Sequence, residues 1–212
     1  MNHKSYFIRR IAILSAFMVL PNISFAQTVS EETTESRNLK FGFNIAPNIS
    51  NIRTGANLPD GVTTFNTVNY RLGFRADYSL NKIVSISPEI NWSFNEGGFS
   101  FSDSSKVDYM VMPMSIDFMT HLIFKKQRNK LSPYFMLGPN IRLPIFKKSN
   151  SLPYTTKTDV AVNFGIGLEM QFEYFSFSPE LRYGLGLLNI STHPLIPSTK
   201  MHNVSLALNF TL

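Results

Sequence analysis

The chain has 212 residues, 43% of them hydrophobic and 16% charged, which is enough for one domain with a sizeable core. It contains no cysteine, which excludes disulfides, thiolate metal sites and a lipid-modified N-terminal cysteine. Its formal charge of +6 falls to +3 once the three basic residues of the first 26 positions are set aside, and no basic stripe interleaved with aromatics follows, so we expect no nucleic-acid partner.

The N-terminus predicts export. Basic residues precede the ten-residue apolar run "IAILSAFMVL", and the following "PNISFA" has small residues two positions apart at its end. This order predicts a signal peptide over residues 1–26, cleaved before Gln27. The run is too short to cross about 30 Å of hydrocarbon as a membrane anchor. Residues 27–38 are polar and patternless, which predicts a flexible periplasmic lead-in.

From Leu39 to Leu212 the apolar residues occupy every second position in eight segments. A period of two indicates extended strands with one apolar and one polar face. In the fourth segment we predict an apolar face that runs from Met110 and Met112 to Phe124. The eight segments are "LKFGFNIAPNI", "VNYRLGFRADYSL", "VSISPEINWSF", "YMVMPMSIDFMTHLIF", "SPYFMLGPNIRLPI", "DVAVNFGIGLEMQF", "FSFSPELRYGLGLL" and "NVSLALNFTL".

The links between these segments alternate between long and short, beginning with the long "SNIRTGANLPDGVTTF" and the short "NK". This alternation is typical of outer-membrane barrels, which have large extracellular loops and tight periplasmic turns. We therefore predict that residues 39–212 form an all-β, eight-stranded antiparallel up-and-down transmembrane barrel in the bacterial outer membrane. The apolar faces would then meet lipid, and barrel-assembly machinery would be a partner during insertion.

The predicted polar faces carry charges of both signs. Because buried charges need partners, we predict a structural ion-pair network that fills the lumen. The alternative is a conducting or substrate-binding channel, which a barrel of eight strands has little room to contain. The predicted basic members are Lys40, Arg71, Arg75, Arg142 and Arg182, and the acidic members are Asp77, Glu89, Asp117, Asp159, Glu169 and Glu180.

Catalytic motifs are scarce. Ser191, Thr192 and His193 lie side by side near the outer rim, and small barrels that hydrolyse lipid use a rim Ser and His. Adjacent residues do not make a dyad by spacing alone, and no acidic orienting residue is evident. No phosphate-binding loop or metal-spaced cluster is present either. We expect no enzymatic activity, no cofactor and no metal site, and lipid modification stays a weak alternative.

Two segments resemble the PorT family of outer-membrane barrels. They are "KKQRNKLSPYFMLGPNIRL", a basic turn followed by Pro-Tyr and Gly-Pro, and "DVAVNFGIGLEMQFEYFSFSPELRYGLGLLNI", a strand, tight turn and strand. The chain departs from the family pattern at Asp117, where we expect a basic residue, and at Leu212, where barrels commonly end in an aromatic residue. The resemblance carries over no catalytic or binding residue.

The resemblance implies an outer-membrane location and a link to type IX protein secretion. Our first hypothesis is an accessory component of secretion that acts through contacts with other secretion-machine proteins. The basic turn Lys125, Lys126, Arg128 and Lys130 would face the periplasm and could meet an acidic partner surface. An ordinary solvated turn is an equal alternative. The second hypothesis is a general small barrel with a structural or loop-mediated binding role.

Overall fold

A computed structural model describes residues 39–102, 107–126, 130–145, 157–190 and 198–212. The predicted signal peptide and lead-in, Arg128 and the Ser191–His193 triplet lie outside these ranges. No helix in the described ranges is long and apolar enough to cross a membrane. The strands are β1 (Leu39–Thr54), β2 (Val62–Phe65), β3 (Val68–Ser79), β4 (Val84–Phe94), β5 (Gly98–Phe101), β6 (Val107–Met110), β7 (Met114–Lys125), β8 (Leu131–Pro144), β9 (Asp159–Gln171), β10 (Ser176–Gly186) and β11 (Thr199–Thr211).

Eight of these strands form a closed antiparallel barrel in the order β1-β11-β10-β9-β8-β7-β4-β3. Each barrel strand pairs with the previous and the next barrel strand along the chain. The last strand closes on the first through pairs such as Phe43 with Phe210 and Ile49 with Val204. Closure removes the sheet edges, whose unpaired backbone groups could not be satisfied in lipid. The predicted eight-stranded up-and-down barrel is confirmed.

The period-two sequence pattern appears as alternating burial along each strand. On β4 the inward positions carry Ser, Glu and Asn, whereas Ile90 and Trp92 are exposed on the outside. Aromatic pairs stand on the outer wall near both ends, such as Tyr70 with Phe94 and Phe172 with Phe175. An apolar outer wall flanked by aromatic residues matches the hydrocarbon band and the interfaces of a membrane.

The two ends of the barrel differ in their connections. Short turns at residues 80–83 and 172–175 lie at one end, here named the turn end, where β7 also ends and β8 begins. In the first of them the Asn81 side-chain oxygen accepts bonds of 2.8 Å from the backbone N–H groups of Ile83 and Val84, which closes the turn. The longer connections lie at the opposite end, here named the loop end.

The predicted extent of the fourth strand was partly wrong. Pro113 separates β6 from β7, so the barrel strand begins at Met114 and not near Met110. Because Pro cannot donate a ladder hydrogen bond, it stands where the chain leaves one sheet for another. Met112 is consequently buried, with an exposed fraction of 0%, and does not face lipid.

The loop end also contains a second, three-stranded sheet of order β2-β5-β6, which the sequence pattern did not predict. Its strands have only four residues each, too few for a period to stand out. Apolar residues from this sheet and from the adjoining strands and loops are packed in one buried cluster, here named the apolar cap. Its members are Ile52, Phe99, Val111, Met112, Ile190 and Met201.

Candidate functional site

The interior of the barrel contains a dense group of charged side chains. Ten of the eleven charged residues assigned to the lumen from sequence are buried there, and Lys40 is partly exposed at the turn end. These side chains point inward because successive residues of a strand face opposite sides, and the charged residues alternate with apolar ones. Three groups of ion pairs follow one another along the lumen, one in the middle, one nearer the loop end and one at the turn end.

Glu89 on β4 is the centre of the middle group. Arg182 on β10 contacts both of its carboxylate oxygens, with Nη1 at 3.0 Å from Oε2 and Nη2 at 3.2 Å from Oε1. Arg75 Nη1 lies 3.4 Å from Oε1, and the amide nitrogens of Asn44 and Asn91 approach Oε2 at 3.4 and 3.3 Å. Two guanidinium groups and two amides thus compensate one buried carboxylate.

The same two arginines hold further carboxylates. Arg75 donates to Asp77 Oδ1 through Nε at 3.2 Å and Nη2 at 2.8 Å, and Arg182 Nε donates to Glu180 Oε1 at 2.5 Å. The Tyr134 hydroxyl donates to the other Glu180 oxygen at 2.9 Å. Each arginine therefore bridges two acids, which links the middle group into one network.

Two pairs lie nearer the loop end. Asp117 accepts bonds of 2.6 Å from the hydroxyls of Ser93 and Ser115, and Arg71 Nε lies 3.7 Å from its Oδ2. Arg142 Nη1 lies 3.0 Å from Asp159 Oδ2, although the two groups are not aligned for a hydrogen bond. Asp117 thus lies between two hydroxyls and an arginine.

The third group lies at the turn end and includes an unexpected member. Lys125 Nζ is 2.7 Å from Glu169 Oε2, and Lys40 Nζ is 4.0 Å from Glu169 Oε1. The sequence predicts Lys125 in the basic contact turn, and this is wrong, because its ammonium group contacts Glu169 inside the barrel. Lys126 and Lys130 are exposed at that turn. With Lys125 added, six basic side chains meet six acidic ones in the described part of the lumen, so its formal charge balances.

The predicted charge network did not include the inward residues that lie between the charges. His121 Nδ1 lies 3.4 Å from Glu89, and its Nε2 lies 3.2 Å from the Asn163 amide nitrogen. Tyr134 packs over Gly167, where a side chain would collide with its ring. Met119, Ile123 and Met136 are also buried. The only sequence signal that could have identified them is their position on the inward face in the period-two pattern.

This arrangement binds the barrel's own strands together through side-chain contacts between them. In the ranges that the structure describes, no group of three or more His, Asp or Glu side chains could hold a metal ion. The charged groups are engaged with one another, and the apolar cap covers part of the loop end. Side chains from opposite strands therefore meet within the described part of the lumen.

Comparisons with known proteins agree with this architecture. The model of the family described as "Outer membrane protein beta-barrel domain" matches residues 25–192. The solved structure of Neisserial surface protein A is 9% identical, covers 81% of this chain and 96% of its own, and has a TM-score of 0.52.

Two further structures match over the barrel with lower scores. AlkL in DMPC lipid bilayers is 16% identical over 86% of this chain and 95% of its own, with a TM-score of 0.47. OprG from Pseudomonas aeruginosa is 13% identical over 82% and 94%, with a TM-score of 0.45. The comparison with curated proteins found no significant match.

Proposed function

The chain belongs to the outer membrane protein beta-barrel domain family, and from this premise we propose that it is a closed, non-enzymatic barrel that acts through its outer surfaces. The observation that carries the proposal is the pair Arg182–Glu89, whose strands stand on opposite sides of the barrel. A charged pair held across the lumen leaves little space for an ion or a substrate. The contribution to the cell must then come from the wall, the turns or the loops.

We propose further that this contribution is an accessory role in protein secretion of the type IX kind. The two PorT-like segments support it; they cover most of β8, all of β9 and β10, the turn before β8 and the turn between β9 and β10. A barrel with a filled lumen cannot pass a folded protein, so the role would consist of contacts with other secretion-machine proteins. The exposed Lys126 and Lys130 offer one basic surface for such contacts.

The test is co-purification of a tagged full chain from gently solubilised membranes of the native host. We expect other components of a secretion machine to be recovered, and an unrelated outer-membrane barrel with the same tag serves as the control. Recovery of the same proteins with both barrels, or of none, would contradict the secretion role. The closed-barrel proposal would survive that result, because conductance measures it separately.

A second candidate function is loop-mediated binding by a general small barrel. The observation in its favour is the β2-β5-β6 sheet, which organises two of the loop-end connections around a buried apolar cap. Exposed polar side chains such as Thr63 and Thr64 lie on this sheet. Loops held in one conformation lose less entropy on binding than flexible loops do.

A further inference from the structure

The outer wall carries a groove of about 540 Å³ where β8, β9 and β10 approach the turn end. Pro133, Leu168 and Pro179 are half-buried and form its floor. Pro133 pairs with Leu168 in the β8–β9 register, so the floor follows one row across neighbouring strands. Exposed apolar side chains form the walls; they are Phe124, Phe135, Ile166 and Leu181.

Pro179 on the floor interrupts the hydrogen bonding between β9 and β10. The registered pairing of β9 with β10 lapses between Phe177–Met170 and Glu180–Gly167, at the positions that include Pro179. Because Pro179 has no N–H, the carbonyl of Leu168 loses its donor from β10. Such a carbonyl is costly in hydrocarbon, so this part of the wall belongs at the depth of the lipid headgroups and the glycerol.

Positive charge stands at the end of the groove. Lys126 lines it and is exposed, and its backbone N–H donates to the Pro133 carbonyl at 2.9 Å. Lys130, at the other end of the same turn, is also exposed, and its carbonyl accepts from Gln171 N at 3.1 Å. Lys125 is held by Glu169 inside the barrel and does not contribute. The next turn adds one exposed acid, Glu173, which leaves the two turns positive in their described part.

We propose that this groove is a binding site for one anionic phospholipid, with an acyl chain along Leu168 and the prolines and the phosphate against Lys126. The apolar floor takes a flexible hydrocarbon chain, and the ammonium group at its end attracts a negatively charged headgroup. A zwitterionic lipid offers the same chain without the net charge. The site is therefore selective by headgroup, and it depends on neither the secretion role nor the closed lumen.

The chain offers an internal reference for the test, because Trp92 is its single tryptophan. Trp92 is on the outer wall of β4, three strands from β9 around the barrel, and reports on ordinary boundary lipid. A second reporter is Ile166→Trp in a Trp92→Phe background, and Leu181→Trp in the same background repeats the measurement at another wall of the groove. Each full-length protein is placed in vesicles that contain brominated phosphatidylglycerol or brominated phosphatidylcholine, and quenching of its fluorescence is compared.

We expect the groove reporters to prefer the anionic lipid by about fivefold, the factor that one basic side chain near an anionic surface supplies. Trp92 should show a ratio near one. Lys126→Gln should remove the preference, and so should high salt, whereas Lys82→Gln, an equal loss of charge in the exposed β3–β4 turn, should leave it. Heat-dependent gel mobility confirms that each variant is folded. Equal quenching by both lipids at the groove, or an equal effect of Lys126→Gln and Lys82→Gln, would overturn the proposal.

Discussion

Arg182 and Glu89 meet across the full width of the barrel, although 93 residues separate them in the sequence. Four steps of strand order separate β10 from β4 in either direction, so the two side chains reach the axis from opposite walls. Both are buried, with exposed fractions of 2%. Their two hydrogen bonds are therefore a brace across the lumen, and the middle group of charges is organised around it.

Removing the charge of Glu89 should destabilise the barrel strongly. Glu89→Gln leaves the buried Arg75 and Arg182 without their shared carboxylate, and breaking a buried ion pair in this way costs about 3–5 kcal/mol. Glu173→Gln, the same substitution at an exposed turn residue, should change stability by less than about 0.5 kcal/mol. Urea unfolding in lipid vesicles measures both. A Glu89→Gln cost as small as the control would mean that the brace does not stabilise the fold.

The depth of the barrel in the membrane can be tested with one substitution at two sites. Leu72 lies mid-strand on the outer face of β3, and Leu80 lies in the turn that follows, both exposed. Leu72→Arg should cost about 2–4 kcal/mol because the charge meets hydrocarbon, whereas Leu80→Arg near the interface should cost about 0–1 kcal/mol. Refolding into vesicles of defined thickness provides the comparison. Equal costs would contradict a membrane-facing outer wall.

The architecture could be predicted because alternation and link length are local properties of the sequence. Every inward residue of β7 has an odd number, and Asp117, His121 and Lys125 share that parity. The same rule places Lys125 inside the barrel. We predicted it in a turn because it begins the basic run "KKQRNK". Its partner Glu169 is on β9, and no sequence pattern shows which inward charges meet across a lumen.

The loop end could not be predicted for a related reason. The strands β2, β5 and β6 are too short for periodicity, and their pairing depends on contacts between distant loops. Met112 continues the outward parity of β7, but Pro113 interrupts the strand and the side chain enters the apolar cap instead. The cap forms from residues far apart in the sequence, so only the folded chain brings it together.

The filled lumen should prevent steady ion flow. Purified wild-type protein in a planar bilayer is expected to show little conductance, since Arg75, Glu89 and Arg182 occupy the axis. Replacing all three with Ala should open a water-filled path and raise the conductance, provided that heat-dependent mobility shows a folded barrel. Large and reproducible channels from the wild type would contradict the closed-barrel proposal.

Lys125 and Lys130 should behave differently although both flank the same turn. Lys125→Ser removes the 2.7 Å contact with the buried Glu169 carboxylate and should cost about 1.5–3 kcal/mol, the value of a hydrogen bond to a charged group. Lys130 is exposed, so Lys130→Ser should stay within about 0.5 kcal/mol of the wild type. The free energy of unfolding of the two variants is measured in urea at low and at high salt. Equal costs would mean that the ion pair does not stabilise the turn end.

The secretion role yields a test in the native host. Deleting the gene should trap type IX cargo in the periplasm, and replacing Lys126, Arg128 and Lys130 with Ser should reproduce part of that defect if the turn contacts an acidic partner. Lys125 is left in place, because its ion pair with Glu169 belongs to the barrel interior and its loss would confuse a stability effect with a contact effect. Lys82→Ser, in another turn at the same end, is the matched control and should secrete normally.

Cargo in the medium and in the periplasm is measured by immunoblot against equal amounts of barrel. Normal secretion by the deletion strain would rule out the secretion role and leave the general barrel with loop-mediated binding, whereas a defect in the deletion strain alone would place the contact elsewhere on the wall or the loops.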